Sequence, residues 1–157
     1  MDKMQMQRVT KRIYEEYGFV KKGKYFYLDL SDVLICSGFV RRYSHIYLSY
    51  NFSIKAIHSI DEIKKDDMFS GFDSRDNAIY LDESAEGYEK KAIFYEKYDE
   101  LEYENILRTK LHYYFDPYKI DAFGHLIKIN TIVGFVHEKE IIPIKINAKQ
   151  YLGINTD

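Results

Sequence analysis

The sequence predicts an α+β fold: an antiparallel meander sheet of about five strands, with an N-terminal helix and C-terminal helices packed on one face. Three observations predict it. Residues 25–54 divide into three apolar runs of strand length, residues 2–17 carry apolar side chains at helical spacing, and helical spacing returns after Asp99.

In the first segment Met6, Val9, Ile13 and Tyr17 form a stripe, with Arg8, Lys11, Arg12, Glu15 and Glu16 mostly off it. Gly18 is placed to close this helix in a left-handed conformation, with Phe19 supplying the apolar contact of such a cap. Tyr25 to Leu30 and Val33 to Val40 then flank Ser31-Asp32, a hairpin signal. Ser-Asp is a poorer tight turn than Asn-Gly, so a two-residue loop and a longer one both stay open. The run from His45 to Ile54 alternates. Ile46, Leu48, Tyr50, Phe52 and Ile54 share one face with Phe26, Leu28, Val33 and Ile35, while His45, Tyr47, Ser49 and Asn51 share the other with Tyr25 and Tyr27.

Periodicity weakens between Ser59 and Ser84, an acidic loop with a short helix near Ile60 to Ile63. Ala78 to Leu81 and Lys91 to Tyr98 are the expected fourth and fifth strands, with a turn at Glu86-Gly87. Asp99-x-x-Glu102 has the form of a capping box, and Tyr103, Ile106, Leu107, Leu111 and Tyr114 form the stripe behind it. Asp116-Pro117 is expected to end that helix and start another over Tyr118 to Leu126. Residues 127–140 fit strand and helix equally. Ile142, Ile144 and Ile146 alternate, and Asn147-x-x-Gln150 caps a last helical turn stopped by Gly153. No repeat or linker interrupts residues 1–157, which read as a single domain.

With 157 residues, the chain buries roughly 70% of its unfolded surface, enough for a core without disulfides or structural metal. Its one cysteine, Cys36, lies in an apolar strand and reads as a buried, inert thiol. Without an apolar signal core or a membrane-length apolar run, the expected location is the cytoplasm. Abundant Ile, Lys, Asn and Tyr without Trp suggests an AT-rich, bacterial genome. The net charge of -2 hides a polarity: ten Lys/Arg against five Asp/Glu in residues 1–60, and eight against sixteen in residues 61–116.

The opening helix, the run Gly18-Phe19-Val20-Lys21-Lys22-Gly23-Lys24-Tyr25-Phe26, and the Asp29-Leu30-Ser31-Asp32-Val33 that follows resemble the start of the bacterial domain of unknown function 4304 family. The resemblance spans about a third of the chain; Ser31 stands where a smaller turn residue such as Gly is expected. It implies an α+β fold and a cytosolic bacterial protein, and it transfers no catalytic residues.

Motifs for phosphate loops, zinc cages, nucleophile elbows and H-E-x-x-H metal sites are absent, and the five histidines show no i,i+3 or i,i+4 pair. The acidic stretch lacks the register of a calcium loop. No cofactor and no metal are therefore expected. Two surfaces remain as binding candidates: the polar aromatic face of Tyr25, Tyr27, His45, Tyr47 and Asn51, and the acidic Asp66 and Asp67 as a landing site for a basic partner. Lys21, Lys22 and Lys24 should gather with Arg41 and Arg42 at one end of the sheet, because pairing about Ser31-Asp32 sets Lys24 opposite Phe39.

The leading expectation is a non-catalytic protein-binding module, immunity-like or regulatory, acting as a monomer or homodimer away from membranes. One alternative is single-stranded nucleic-acid binding through the Tyr/Lys face, disfavoured by the negative net charge. Another is an enzyme or small-ligand cleft between sheet and C-terminal helices, using His45 or His112 with a carboxylate.

Overall fold

Asp2 starts the first helix by reciprocal capping. Its carboxylate accepts the Gln5 N–H at 2.8 Å while the Gln5 amide oxygen accepts the Asp2 N–H at 2.7 Å, an arrangement worth about 1 kcal/mol. This helix, α1, spans Lys3–Tyr17. Gly18, at φ +117°, ends it in the left-handed region, and the Phe19 N–H reaches back to the Tyr14 carbonyl at 2.9 Å. The Phe19 ring then lies 4.8 Å from that of Tyr14, the apolar contact such caps carry. The buried stripe is Met6, Val9, Thr10, Ile13 and Tyr14; Tyr17, expected on it, is only half-buried.

The computed structural model describes residues 1–58, 73–74, 77–124 and 146–153. Five antiparallel strands follow one another in sheet order: β1 (Val20–Lys22), β2 (Tyr25–Asp29), β3 (Val33–Arg41), β4 (Ile46–Ile54) and β5 (Asn77–Ala78). Ser31-Asp32 does form a two-residue loop, closed by the Leu30 N–H on the Val33 carbonyl at 3.0 Å. The resulting register sets Phe26 opposite Ser37 and Leu28 opposite Ile35, as pairing about Ser31-Asp32 requires.

Three strand assignments change. The strand expected over Ala78 to Leu81 is confined to Asn77–Ala78, with the Ile79 N–H on the Leu48 carbonyl at 2.9 Å just beyond it. Val20–Lys22 pairs with β2 through the Gly23-Lys24 turn, where Gly23 takes φ +60°. Lys91 to Tyr98 is not a strand. Its residues join no strand ladder, and Tyr95–Lys97 turns into a 3-10 helix. A single sheet-like bond, Ile93 N–H to the Ile46 carbonyl at 2.8 Å, ties this segment to β4. A second 3-10 turn, Gly87–Lys90, covers the expected Glu86-Gly87 turn.

Helix α2 runs from Glu100 to Gly124 without the break expected at Asp116-Pro117. Its start is capped as the sequence indicates, with Asp99 accepting the Glu102 N–H at 2.9 Å. An interior proline costs about 3 kcal/mol, but Phe115 and Tyr118, on either side of Pro117, are both buried in the core and hold the helix on course. Helix α3 spans Ile146–Tyr151 and contributes Ala148, with Leu152 just beyond it, to the same core. Because α3 begins at Ile146, Asn147 lies inside it; Gly153, at φ +68°, follows it. The expected helix at residues 60–63, Asp66, Asp67, the ambiguous stretch 127–140 and the expected extended residues Ile142 and Ile144 lie outside the described residues, while Ile146, expected to extend with them, begins α3.

The helices pack on the sheet face formed by Phe26, Leu28, Val33, Ile35, Leu48, Tyr50, Phe52 and Ile54. Helices α1 and α2 run parallel at a constant sequence offset of 92. Arg8 meets Glu100 at 2.8 Å, Arg12 meets Glu104 at 2.6 Å, and Glu16 meets Arg108. Parallel neighbours set like ends of their dipoles side by side, and this ladder of opposite charges offsets that repulsion.

Two pairs of hydroxyls inside the core are matched to one another. The Ser37 hydroxyl donates to the Ser49 carbonyl at 2.8 Å, so the buried Tyr14 hydroxyl donates to Ser37, at 2.9 Å. Likewise Thr10 donates to the Met6 carbonyl at 2.8 Å, leaving the Tyr103 hydroxyl to donate to Thr10, also at 2.8 Å.

Burial pushes the Tyr14, Tyr50, Tyr103 and Tyr118 hydroxyls well above the ordinary tyrosine range, and chiefly burial pushes Tyr114 up to about 12. Since the folded values are raised, the stabilisation is complete below the ordinary value near 10 and is lost as pH rises beyond it. Alkaline titration should therefore show a set of phenols that ionise only with unfolding, seen as phenolate absorbance rising together with loss of circular dichroism. Ser37→Ala, which strands the Tyr14 hydroxyl, should cost about 1–3 kcal/mol. Tyr14→Phe should cost less, because Ser37 keeps its backbone acceptor, and chemical denaturation of the two variants and their double should show that non-additivity.

Candidate binding cleft at the basic end of the sheet

The hairpin geometry decides where charge accumulates. β1–β2 turns at Gly23-Lys24 and β3–β4 turns at Tyr43-Ser44, so both loops lie at the same end of the sheet. The second loop is closed by the Arg42 N–H on the His45 carbonyl at 2.9 Å. Lys21, Lys22 and Lys24 are exposed on the first hairpin; Arg41, Arg42 and a fully exposed Tyr43 stand on the second. This is the basic gathering the sequence predicts.

Beside the Tyr43-Ser44 loop is a cleft of about 290 Å³. Its walls come from the loop, from Lys3 at the start of α1, and from Ile93 to Glu96. Arg41 and Arg42 differ here from the other described arginines. Arg8, Arg12 and Arg108 are all engaged in ion pairs with glutamates, whereas Arg41 and Arg42 form none among the described residues. The single carboxylate in the lining, Glu96, raises the Tyr95 hydroxyl through its charge, aided by desolvation and a hydrogen bond and opposed by Arg41.

His45 closes one side of the cleft within an aromatic stack. Its ring lies 5.6 Å from Tyr47 and 4.9 Å from Tyr88, and the Lys91 ammonium sits 4.3 Å from the centre of the Tyr47 ring. His45 Nδ1 meets the Ser44 hydroxyl at 3.2 Å, while Nε2 is buried and has no partner among the described residues.

The structure separates the residues the sequence placed on one polar aromatic face. His45 lines the cleft. Tyr47 and Asn51 are buried, as are Ser49 and Ser53, so that part of the face is interior rather than a free surface. Tyr25 and Tyr27 are half-buried against Leu34 and Cys36, and Tyr27 helps to line a separate groove of about 350 Å³ beside Val20. Asp66 and Asp67 lie outside the described residues. Sequence reasoning placed Tyr43 with Tyr25, Tyr27 and Tyr47 beside the basic cluster, but did not single out Lys3, Tyr88 or Tyr95. Tyr43 carries a signal, an aromatic residue directly after Arg41-Arg42 at a strand end; Lys3 and Tyr95 reach the cleft only through tertiary contacts, and Tyr88 stacks on His45 behind it.

Two further titratable clusters occur. His112 Nδ1 meets Asp116 at 3.0 Å, the Tyr17 hydroxyl donates to the same carboxylate, and Lys119 lies 3.7 Å from the Tyr17 ring centre. The adjoining cleft of about 220 Å³ has Ile13 and Leu111 in its lining and no serine, threonine or cysteine. Its polar groups satisfy one another and latch α1 to α2. In the second cluster Asp73 is fully buried, accepting the Ile54 N–H at 2.6 Å and meeting His58 Nε2 at 2.5 Å. Together with Ser74, which accepts the Phe52 N–H at 3.0 Å, it occupies hydrogen-bonding groups of β4 beyond the short β5. Among the described residues no group of three His, Cys, Asp or Glu side chains is arranged to hold a metal ion, and no helix is long and apolar enough to cross a membrane.

Comparison with protein-family models, curated proteins and solved structures returned no match.

Burial pushes the Asp116 carboxyl up, but its hydrogen bonds from Tyr17 and His112 and the nearby Lys119 charge outweigh that and hold it below its ordinary value. A depressed value means stabilisation present above the ordinary carboxylate range and lost as pH falls. Asp116→Asn should lower the Tm at neutral pH, with the gap to the parent closing in acid; a pH series of thermal melts reads both.

Proposed function

We propose that this chain is a non-catalytic protein-binding module that takes an acidic partner surface on the basic end of its sheet. The observation that carries the reading is the contrast among the arginines: Arg41 and Arg42 stand exposed without ion pairs among the described residues, while Arg8, Arg12 and Arg108 are neutralised by glutamates of the same chain. Arginine and tyrosine dominate binding hot spots because they combine large contact area with directional hydrogen bonding, and Arg41-Arg42-Tyr43 presents both at a short turn. A two-residue loop leaves the backbone beneath these side chains little freedom to lose on binding.

An acidic protein surface suits this end better than a nucleic-acid strand. The chain is net negative, which disfavours wrapping by an extended polyanion. Tyr25 and Tyr27 are half-buried against Leu34 and Cys36, which leaves less ring surface for stacking bases. An immunity-like or regulatory role in the cytoplasm of a bacterium is the setting in which such a module fits.

The test is capture of partners from a host lysate by the parent and by the Arg41→Glu/Arg42→Glu variant, each with and without nuclease. A stoichiometric protein that survives nuclease, weakens with added salt and is lost in the variant supports the reading. Capture unchanged in the variant, or abolished by nuclease, overturns it.

A further inference from the structure

Resting on the binding reading above, we infer that the group the cleft takes from its partner is a phosphate monoester, a phosphorylated side chain, rather than a carboxylate. Lys3, Arg41 and Arg42 line a cleft whose lining holds one carboxylate, Glu96, leaving an excess of two positive charges. The cationic excess matches a dianion. A single carboxylate would neutralise one guanidinium and leave the other unpaired, whereas a phosphate monoester carries nearly two charges and three acceptor oxygens. Planar guanidinium forks match those oxygens in bidentate geometry.

Two further features point the same way. His45 Nε2 is buried without a partner among the described residues, in a side chain that lines this cleft; buried polar atoms are ordinarily paired, and an orphan at a cleft calls for an occupant. A phosphate oxygen left over by the guanidinium forks is the acceptor an Nε2–H would take once a small shift of the ring uncovers it. The volume, about 290 Å³, accommodates a phosphoryl group together with the side chain bearing it. Tyr43, fully exposed at the rim, is placed to cover the flanking backbone.

The measurement is titration of the full chain, followed by backbone amide NMR at constant ionic strength, with N-acetyl-phosphoserine amide, inorganic phosphate and N-acetyl-glutamate amide as probes. Expected are saturable shifts confined to residues 3, 41–46 and 93–96 with the two phosphate probes, and binding at least about tenfold weaker for the glutamate probe. Arg41→Gln/Arg42→Gln should abolish the phosphate response while leaving the remaining amide shifts in place, and Lys3→Gln should weaken it. Equal response to glutamate, shifts scattered over the surface, or a response that survives the double substitution would overturn the inference. Partner capture that still depends on Arg41 and Arg42 while the phosphate probes fail removes only this inference; capture indifferent to both arginines removes the binding reading itself.

Discussion

From β1 to β4 every antiparallel pair is joined by a two-residue loop, at Gly23-Lys24, Ser31-Asp32 and Tyr43-Ser44. Loops this short leave no slack, so pairing is set residue by residue along the meander. The consequences reach every other part of the molecule. Register sets Ser37 opposite Tyr50 and within reach of Tyr14, where its hydroxyl can be shared between a phenol and a strand carbonyl. It sends Leu48, Tyr50, Phe52 and Ile54 to the helices, and it brings both basic turns to one end of the sheet. A slip of one residue would move the apolar set of β4 to the wrong face, strand the buried hydroxyls and disperse the cations. The cleft is a consequence of register before it is anything else.

Helix packing adds a constraint of a different kind. Parallel α1 and α2 align like ends of their dipoles, and their exposed seam is stitched by charges of opposite sign one turn apart: Arg8–Glu100, Arg12–Glu104, Glu16–Arg108. These groups are partly exposed, so each pair contributes little on its own. The network nevertheless uses up Arg8, Arg12 and Arg108. Arg41 and Arg42, on a sheet hairpin rather than on the helix seam, are what remains among the described arginines. The assignment of function to the sheet end thus follows from how the rest of the molecule pairs its charges. It also explains why the His112–Asp116–Tyr17–Lys119 cluster, which has the composition of an acid/base site, acts as a latch: its donors and acceptors close on one another.

Much of this architecture is legible in the sequence because it rests on local rules. Asp2 with Gln5 and Asp99 with Glu102 begin helices through bonds three residues long, Gly18 ends one through its own backbone freedom, and the alternation of β4 needs no distant partner to be seen. The departures fall where local preference and tertiary burial disagree. Pro117 argues for a helix end, yet Phe115 and Tyr118 bury on both sides of it. Ile93 and Phe94 have the composition of a strand, yet a single bond from the Ile93 N–H to the Ile46 carbonyl ties them to β4, and Tyr95–Lys97 turns away as a 3-10 helix. Two lysines out of three residues hid β1: the run Val20–Lys22 shows no apolar alternation because it is a fully exposed edge, held by its partner strand alone.

The sequence alone determined the fold class, the starts of α1 and α2, the side-chain alternation of β4 and the end of the sheet where positive charge collects, since each depends on residue spacing over short range. Only the tertiary structure decided which of those features face solvent. Tyr47 and Asn51 alternate as surface residues and are interior; Arg41 and Arg42 look like any basic pair and stand without ion pairs among the described residues; Lys3 and Tyr95, far apart in the chain, come together in the walls of one cleft. Exposure and pairing are properties of the whole packed assembly, because they depend on what residues distant in sequence leave uncovered.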